Sequence, residues 1–226
     1  MPAAPWKPSD PIVLASGNPH KLEEMNDLLQ GKLTLLSLEA AALQRGINVH
    51  EPAEPGLTFE ANAAIKAISY AQQLAMPCLA DDSGLEIDAL HGRPGVISSH
   101  YCTDGAEVGM TRTQRDTANN QRVLREMDGE APALRTARFV CVLCIAVPSL
   151  AEREPEVIAS IRGTFDGRIG EAGEVPRGAN GFGYDPLFLV GPGFVRTSAE
   201  MSAVEKNRLS HRAVAAAKLV EWVRGR

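Results

Sequence analysis

No apolar stretch of this 226-residue chain approaches the roughly 20 residues a helix needs to cross a bilayer, so no membrane partner is expected. The first eleven residues carry four prolines and no apolar segment of the secretory-leader kind. Residues 1–10 are therefore expected to be a flexible extension, and the address cytoplasmic. A cationic excess is also missing: the formal net charge is -5. Proteins that grip duplex nucleic acid need a basic face to release counterions, so no nucleic-acid partner is expected. A few Lys and Arg can still focus positive potential inside a cleft and hold a small anion. Cysteine is scarce, at four, which suits a reduced compartment better than a disulfide framework. Cys141 and Cys144 form a C-x-x-C, but they lie inside an apolar run, residues 139–147. Strand side chains alternate faces, so residues three apart point to opposite sides, and packing is the better account than metal or redox chemistry. Internal repeats and a linker between independent domains are absent as well.

What is present is enough for a large core, since 44% of the residues are hydrophobic. Residues 11–15 read as a buried strand, 19–30 as a helix with Leu22, Met25, Leu28 and Leu29 on its apolar face, and 33–38 as a second strand. A Gly/Pro/Glu-rich loop at 46–56 precedes a helix at 58–74. A short strand at 77–80 runs into Asp81-Asp82-Ser83-Gly84, and 85–90 continues as strand or turn. A helix is expected at 115–127, strands at 137–147, 156–165 and 187–190, and helix to about residue 223. Alternation first and paired strands later predict a mixed α/β fold with a partly antiparallel sheet.

Several segments carry chemistry. In Ser16-Gly17-Asn18-Pro19-His20-Lys21, Asn18 suits a helix N-cap and Pro19 the first helical position. The helix dipole disfavours Lys21 in the first turn, which makes sense beside a bound anion, where free N–H groups and the ammonium act together. A solvated lysine is the alternative. The segment lacks the G-x-x-x-x-G-K-[ST] spacing of a Walker loop. Asp81 and Asp82 repel each other unless a divalent cation or a turn's backbone groups hold them. Glu54 could reach a metal from its loop, while Glu60, Asn62 and Lys66 could equally be ordinary helix-surface residues. Asn180-Gly181-Phe182-Gly183-Tyr184-Asp185 offers either a ring on which a base stacks or a turn that buries Phe182. Ser202 and Glu205 form a capping box. Lys206 and His211 are five residues apart, roughly 140° around a continuous helix, so they converge only if the helix breaks and restarts with Ser210 as N-cap. Leu209, Ala213, Ala216, Val220 and Val223 then form the core stripe, and His211 and Arg212 stand at the positive end of the new helix. A solvated His-Arg pair is the alternative.

Taken in order, Ser-Gly-Asn-x-x-Lys, Leu-Thr-Phe-x-x-Asn-Ala, Ala-Asp-Asp-Ser-Gly-Leu, Gly-Phe-Gly-Tyr-Asp-Pro and Glu-Lys-Asn-x-x-Ser-His-Arg resemble the motifs of the inosine/xanthosine triphosphate pyrophosphatase family, across residues 12–223. The resemblance implies an α/β fold with a long mixed central sheet and helices, in a single domain over 11–226 whose two lobes surround a nucleotide-binding cleft. It also implies a homodimer. The implied reaction is hydrolysis of inosine, deoxyinosine and xanthosine triphosphates to the monophosphate and pyrophosphate, with Mg²⁺ as cofactor. Carried over by motif, Ser16, Gly17, Asn18, Pro19, His20 and Lys21 hold phosphate with Lys66 assisting. Asp82 is the general base with Ser83 beside it on the substrate, and Glu54, Asp81 and Asp82 hold the metal. Phe182, Gly183, Tyr184 and Asp185 frame the base, and Lys206, His211 and Arg212 read it. Water must attack a phosphorus hemmed in by negative oxygens, so charge neutralisation is the main need. Ser16 stands where threonine is also common, Asn180 replaces a frequent glycine, and residues 102–113 form a longer stretch than the family pattern.

Two rivals differ in specific ways. A pyrimidine-directed enzyme of the septum-inhibition-protein type would lack the Gly-Phe-Gly-Tyr-Asp and Ser-His-Arg motifs. A non-catalytic nucleotide sensor would have lost a carboxylate, whereas Glu54, Asp81 and Asp82 are all present.

Overall fold

The computed structural model describes residues 6–17, 19–149 and 154–225. In chain order the elements are strand β1 (Ile12–Leu14), helix α1 (Pro19–Leu29), β2 (Leu35–Leu36), α2 (Leu38–Arg45), α3 (Phe59–Leu74), β3 (Cys78–Ile87), β4 (Pro94–Gly95), α4 (Arg112–Glu126), β5 (Thr136–Val147), β6 (Glu156–Ile169), β7 (Phe188–Val190), α5 (Ala203–Leu209) and α6 (His211–Arg224). The strands form a mixed sheet in the order β2-β1-β3-β5-β6-β7, with β4 paired to β3. The mixed α/β class expected from the sequence is the one observed. The chain divides into two compact units, one drawn from Met1–Asp82, Cys141–Gly163 and Arg212–Arg226, the other from Ser83–Val140 and Thr164–His211.

In the first unit β1 pairs in parallel with β2, Ile12 opposite Leu35, and with β3, Val13 opposite Cys78. A parallel strand is covered on both faces, which is why residues 12–15 are uninterruptedly apolar and buried. Met25 and Leu29 of α1 pack with Leu79, Leu143, Ile145 and Leu219 in one core. Trp6, within the segment expected to be a flexible extension, packs against this core and stacks on Trp222 with centroids 6.4 Å apart. The second strand is shorter than expected. Ser37 caps a helix by accepting from the Ala40 N–H at 3.0 Å, and Gly46 ends it with φ 66°. Helix α2 has no counterpart among the elements expected from the sequence.

In the second unit β4 pairs antiparallel with the end of β3, and β7 with the end of β6. Gly167 of β6 is obligatory, because a Cβ there would meet the Leu189 carbonyl at 2.3 Å and the Phe188 ring at 2.6 Å. Tyr101, Phe139, Phe165, Tyr184 and Phe188 fill the core. Arg135 is buried, and its charge is spread over carbonyl oxygens, to Ile169 at 2.9 Å, Gly170 at 2.7 Å and Met127 at 2.6 Å.

Other expectations need adjustment. The acidic pair does not end a strand: β3 runs through it, because residues 78–79 pair with β1 and residues 85–86 with β4. The helix near the C-terminus does break, with Ser210 extended (φ -63°, ψ 158°) between α5 and α6, and the Ser202/Glu205 capping box starts α5. The break takes Leu209 out of the stripe, leaving it 48% exposed. Cys141 and Cys144 are both buried in β5 and neither is in a disulfide; burial pushes the Cys144 thiol up to about 11, and the Cys141 thiol lies 4.0 Å from Asp81 Oδ2.

Candidate active site

Titratable groups gather in the first unit where β3 carries Asp81 and Asp82. Both oxygens of Asp81 are engaged: Oδ1 by the Lys21 ammonium and Oδ2 by Arg212 Nε at 3.0 Å. Arg212 in turn reaches Glu24 of α1 at 3.0 and 3.1 Å. The side chains of Asp81 and Arg212 are only 4% and 7% exposed. Burial works against the charge on Asp81, but Lys21 and Arg212 more than overcome it and hold the carboxyl well below the usual range. For Arg212, burial is likewise outweighed by Asp81 and Glu24, so its guanidinium stays charged.

Asp82 sits in a different environment one residue on. Burial is the largest influence on it, and the charges of Glu54 and Asp81 add to it against those of Lys66 and Lys21, so its carboxyl is pushed up to about 7. Its Oδ2 is a buried atom with no hydrogen-bond partner among the described residues. Lys66 lies 3.0 Å from Glu54 Oε2 and 3.9 Å from Asp82 Oδ1, and it donates to the Asp81 carbonyl at 3.2 Å. Burial opposes its charge, yet Glu54, Asp82 and Asp81 together raise its pKa.

Local sequence explains how these groups are held. Thr58 caps α3 by accepting from Ala61 N–H at 3.1 Å, which sets the helix that presents Lys66. The buried Asn62 accepts from Gly56 N–H at 2.7 Å and so ties the Glu54 loop to α3. A Cβ at Gly56 would fall 2.4 Å from Asn62 Oδ1, so only glycine fits. A cavity of about 290 Å³ adjoins the cluster, lined among others by Ser16, Gly17, Lys21, Lys66 and Asp81. Asn18 and the side chains of Pro19 and His20 lie outside the described residues. Among the described residues no group of three or more His, Cys, Asp and Glu is placed to hold a metal.

The second unit organises the aromatic loop around Asp185. Its Oδ2 accepts from Phe182 N–H at 2.9 Å and from Lys206 Nζ at 2.8 Å, and its Oδ1 from Ser198 Oγ at 2.6 Å. Gly181 has φ +85°, and a Cβ there would overlap Asp185 Oδ2 and Lys206 Nζ at 2.1 and 2.3 Å. Phe182 is 57% exposed, so the turn does not bury it. Tyr184 is the buried aromatic instead, its hydroxyl donating to the Ser98 carbonyl at 2.7 Å. Gly183 donates to Asp116 at 3.0 Å and accepts from Asn120 at 3.1 Å. The His211 ring stacks on Phe139 with centroids 5.3 Å apart. Ser83, the first residue of this unit, is half-buried on β3.

The structure therefore brings Lys21, Glu54, Lys66, Asp81, Asp82 and Arg212 together in the first unit, and Phe182, Gly183, Asp185 and Lys206 in the second. Sequence reasoning missed Glu24, Arg112, Asp116 and Asn120. Glu24 stands three residues after Lys21 on α1, a spacing that could have flagged it. Nothing in the local sequence ties α4 to a loop more than 60 residues away.

This is the architecture of solved Ham1 proteins. One from Coxiella burnetii matches with a TM-score of 0.77 at 37% identity, over 96% of this chain and 99% of that one. A nucleoside-triphosphatase / dITP/XTP pyrophosphatase from Mycobacterium abscessus matches with a TM-score of 0.71 at 35% identity, over 93% and 98%. The sequence profile of the Ham1 family covers residues 12–222, and the chain belongs to that family. It is 44% identical to the dITP/XTP pyrophosphatase of Exiguobacterium sp. over 92% of this chain and 94% of the relative. For the dITP/XTP pyrophosphatase of Frankia alni the figures are 43%, 94% and 96%. The resemblance read from the five ordered motifs is thus borne out.

Proposed function

We propose that the chain is a nucleoside triphosphate pyrophosphatase that hydrolyses inosine, deoxyinosine and xanthosine triphosphates to the monophosphate and pyrophosphate. The observation that carries this reading is Asp82, a half-buried carboxyl pushed up to about 7, with one oxygen that has no partner among the described residues, set beside Lys66. The name of the relatives, dITP/XTP pyrophosphatase, supports the substrate class.

A general base works best with its pKa near the operating pH, and Asp82 is assigned the proton of the water that attacks the α-phosphorus. Lys21 and Lys66, with Ser16, Gly17, Asn18, Pro19 and His20 at the strand–helix turn, are assigned the phosphate oxygens. Ser83 is assigned a substrate contact beside the base. The carboxylates present fit a divalent cation, since Asp82 has an orphaned oxygen and both Glu54 and Asp82 face a position that already draws the Lys66 ammonium. Glu54 and Asp82 would hold Mg²⁺, which when bound supplies charge neutralisation at the phosphate oxygens. Asp81, with both oxygens taken, is assigned the anchoring of Lys21 and Arg212 rather than the metal.

The exposed ring of Phe182 suits stacking on a purine, with Gly183, Tyr184 and Asp185 shaping its loop. Lys206 and His211 are assigned the keto oxygen. Adenine, with an amino donor in its place, would leave donors unpaired and bind poorly. Arg212 contributes by fixing Asp81. A cytoplasmic homodimer belongs to the same reading, supported by the family resemblance and by four cysteines outside any disulfide.

The test is pyrophosphate release from inosine, xanthosine, guanosine and adenosine triphosphates, with and without Mg²⁺, for the wild type and Asp82→Asn. Inosine and xanthosine triphosphates should win by orders of magnitude, and the variant and the metal-free reaction should be inactive. Orthophosphate release would put the cut at the wrong bond and refute the mechanism. No turnover would leave a binding protein as the better account.

A further inference from the structure

Arg112, Asp116 and Asn120 stand four residues apart along α4, which puts them on one face of the helix. Every one of them meets the aromatic loop. The Arg112 guanidinium lies 4.3 Å from the centroid of the Phe182 ring. Asp116 accepts from Gly183 N–H at 3.0 Å, and Asn120 donates to the Gly183 carbonyl at 3.1 Å. Both polar groups of the residue after Phe182 are therefore held by one helix, while Asp185 holds the N–H of Phe182 itself at 2.9 Å. Phe182 is left 57% exposed on a backbone pinned on both sides.

The position of Arg112 is not explained by the helix. It is the first residue of α4, where the dipole disfavours a cation, and no acidic residue occupies the first turn to offset it. The helix start is already capped by the Thr111/Gln114 box. What Arg112 does have is a planar group lying on an aromatic face, with Asp116 Oδ2 3.9 Å from its Nε.

We propose that the Arg112–Asp116–Asn120 row is a positioning device that presents Phe182 to the purine ring, with Arg112 backing one face of the phenyl group so that the other is free to stack. This rests on Phe182 as the base platform of the reaction proposed above. Arg112 acts through Phe182, so it sets affinity for the base and leaves the phosphate chemistry alone. An immobilised ring spares the ordering cost that a loose one would incur on binding, a gain of roughly two- to tenfold in affinity.

The experiment compares Arg112→Ala and Arg112→Lys with the wild type. Titration calorimetry measures binding of inosine monophosphate and of inorganic tripolyphosphate, and steady-state kinetics with inosine triphosphate separate KM from kcat. Arg112→Ala should weaken inosine monophosphate binding and raise KM about three- to tenfold, with kcat within about twofold and tripolyphosphate affinity unchanged. Arg112→Lys should recover part of the loss, because a cation still faces the ring. Asp116→Ala should weaken the same nucleotide binding, and Asp116→Asn, which keeps an acceptor for Gly183 N–H, should restore it. Unchanged inosine monophosphate affinity in Arg112→Ala, or an equal loss for tripolyphosphate, overturns the proposal. A wild type that turns over inosine triphosphate while Arg112→Ala matches it in every respect sinks this inference alone. A wild type with no turnover and no nucleotide binding sinks the underlying reading with it.

Discussion

Replacing Arg212 by methionine keeps most of the side-chain volume and deletes one charge next to a buried carboxylate. Breaking a buried ion pair from one side costs about 3–5 kcal/mol, because the remaining charge is left uncompensated in a poorly solvated place. Here Asp81 is 4% exposed and keeps the Lys21 ammonium. Glu24, which also loses its partner, is 32% exposed and can rehydrate, so it adds little. The expected loss is therefore at the lower end, about 3 kcal/mol. In a protein of this size that lowers Tm by about 6–12 °C. The two tryptophans, Trp6 and Trp222, both belong to the first unit. Tryptophan fluorescence in a urea titration thus follows the unit that holds the pair, whether or not the second unit unfolds with it.

The pH dependence gives an independent check. Asp81 has a folded-state pKa below its unfolded value, so the stability it contributes is fully present above the unfolded pKa of about 3.9 and fades as pH falls toward the folded value. The gap between wild type and Arg212→Met should be constant from neutral pH to about 5 and shrink below 4. Adding Asp81→Asn to Arg212→Met should recover much of the loss, since the charges then left over, Lys21 and Glu24, are 34% and 32% exposed and can rehydrate. A loss under about 1 kcal/mol, or a gap that widens with acid, would refute the reasoning.

Other perturbations separate scaffold from site. Phe182→Ala removes an exposed ring and should leave stability within about 0.5 kcal/mol, while losing one base-stacking contact should raise KM about five- to hundredfold; a large fall in Tm would mean that the ring is structural. Gly181→Ala places a methyl group onto Asp185 and Lys206 at a positive φ, and should cost about 1–3 kcal/mol and weaken inosine monophosphate binding, read by calorimetry. Carbon-detected NMR of the metal-free protein should find Asp82 titrating at about 7. Added Mg²⁺ should move that titration to lower pH, because a bound cation favours the charged form. No movement would remove Asp82 from the metal set.

Much of the fold was open to reading along the chain because its signals are local. The apolar run at 12–15, the 3.6-residue spacing in α1, Thr58 before α3 and the Ser202/Glu205 capping box depend only on neighbours within a turn or two. The break at Ser210 entered the reading only as the condition for Lys206 and His211 to converge, and the structure has it. Where local signals were weak or overridden, the reading fell short. Helix α2 rests on one serine cap and two buried residues. The acidic pair was expected at a strand end, since nothing within the segment shows that pairing on both sides keeps it extended.

The residue types needed for triphosphate chemistry, and their order, were determined by the sequence alone: two lysines, three carboxylates, an aromatic glycine loop and a His-Arg helix start. Their division of labour was decided by tertiary structure. Asp81 and Asp82 are chemically identical neighbours, yet alternation along β3 turns one toward Lys21 and Arg212 and leaves the other half-buried beside Lys66 and Glu54. One carboxyl is consequently held well below the usual range and the other is pushed up to about 7. The clamp of α4 on the Phe182 loop belongs to the same class, because it joins residues more than 60 positions apart. A carboxylate's pKa and an aromatic ring's setting depend on which charges and helices surround them in space, and those neighbours exist only once the chain has folded.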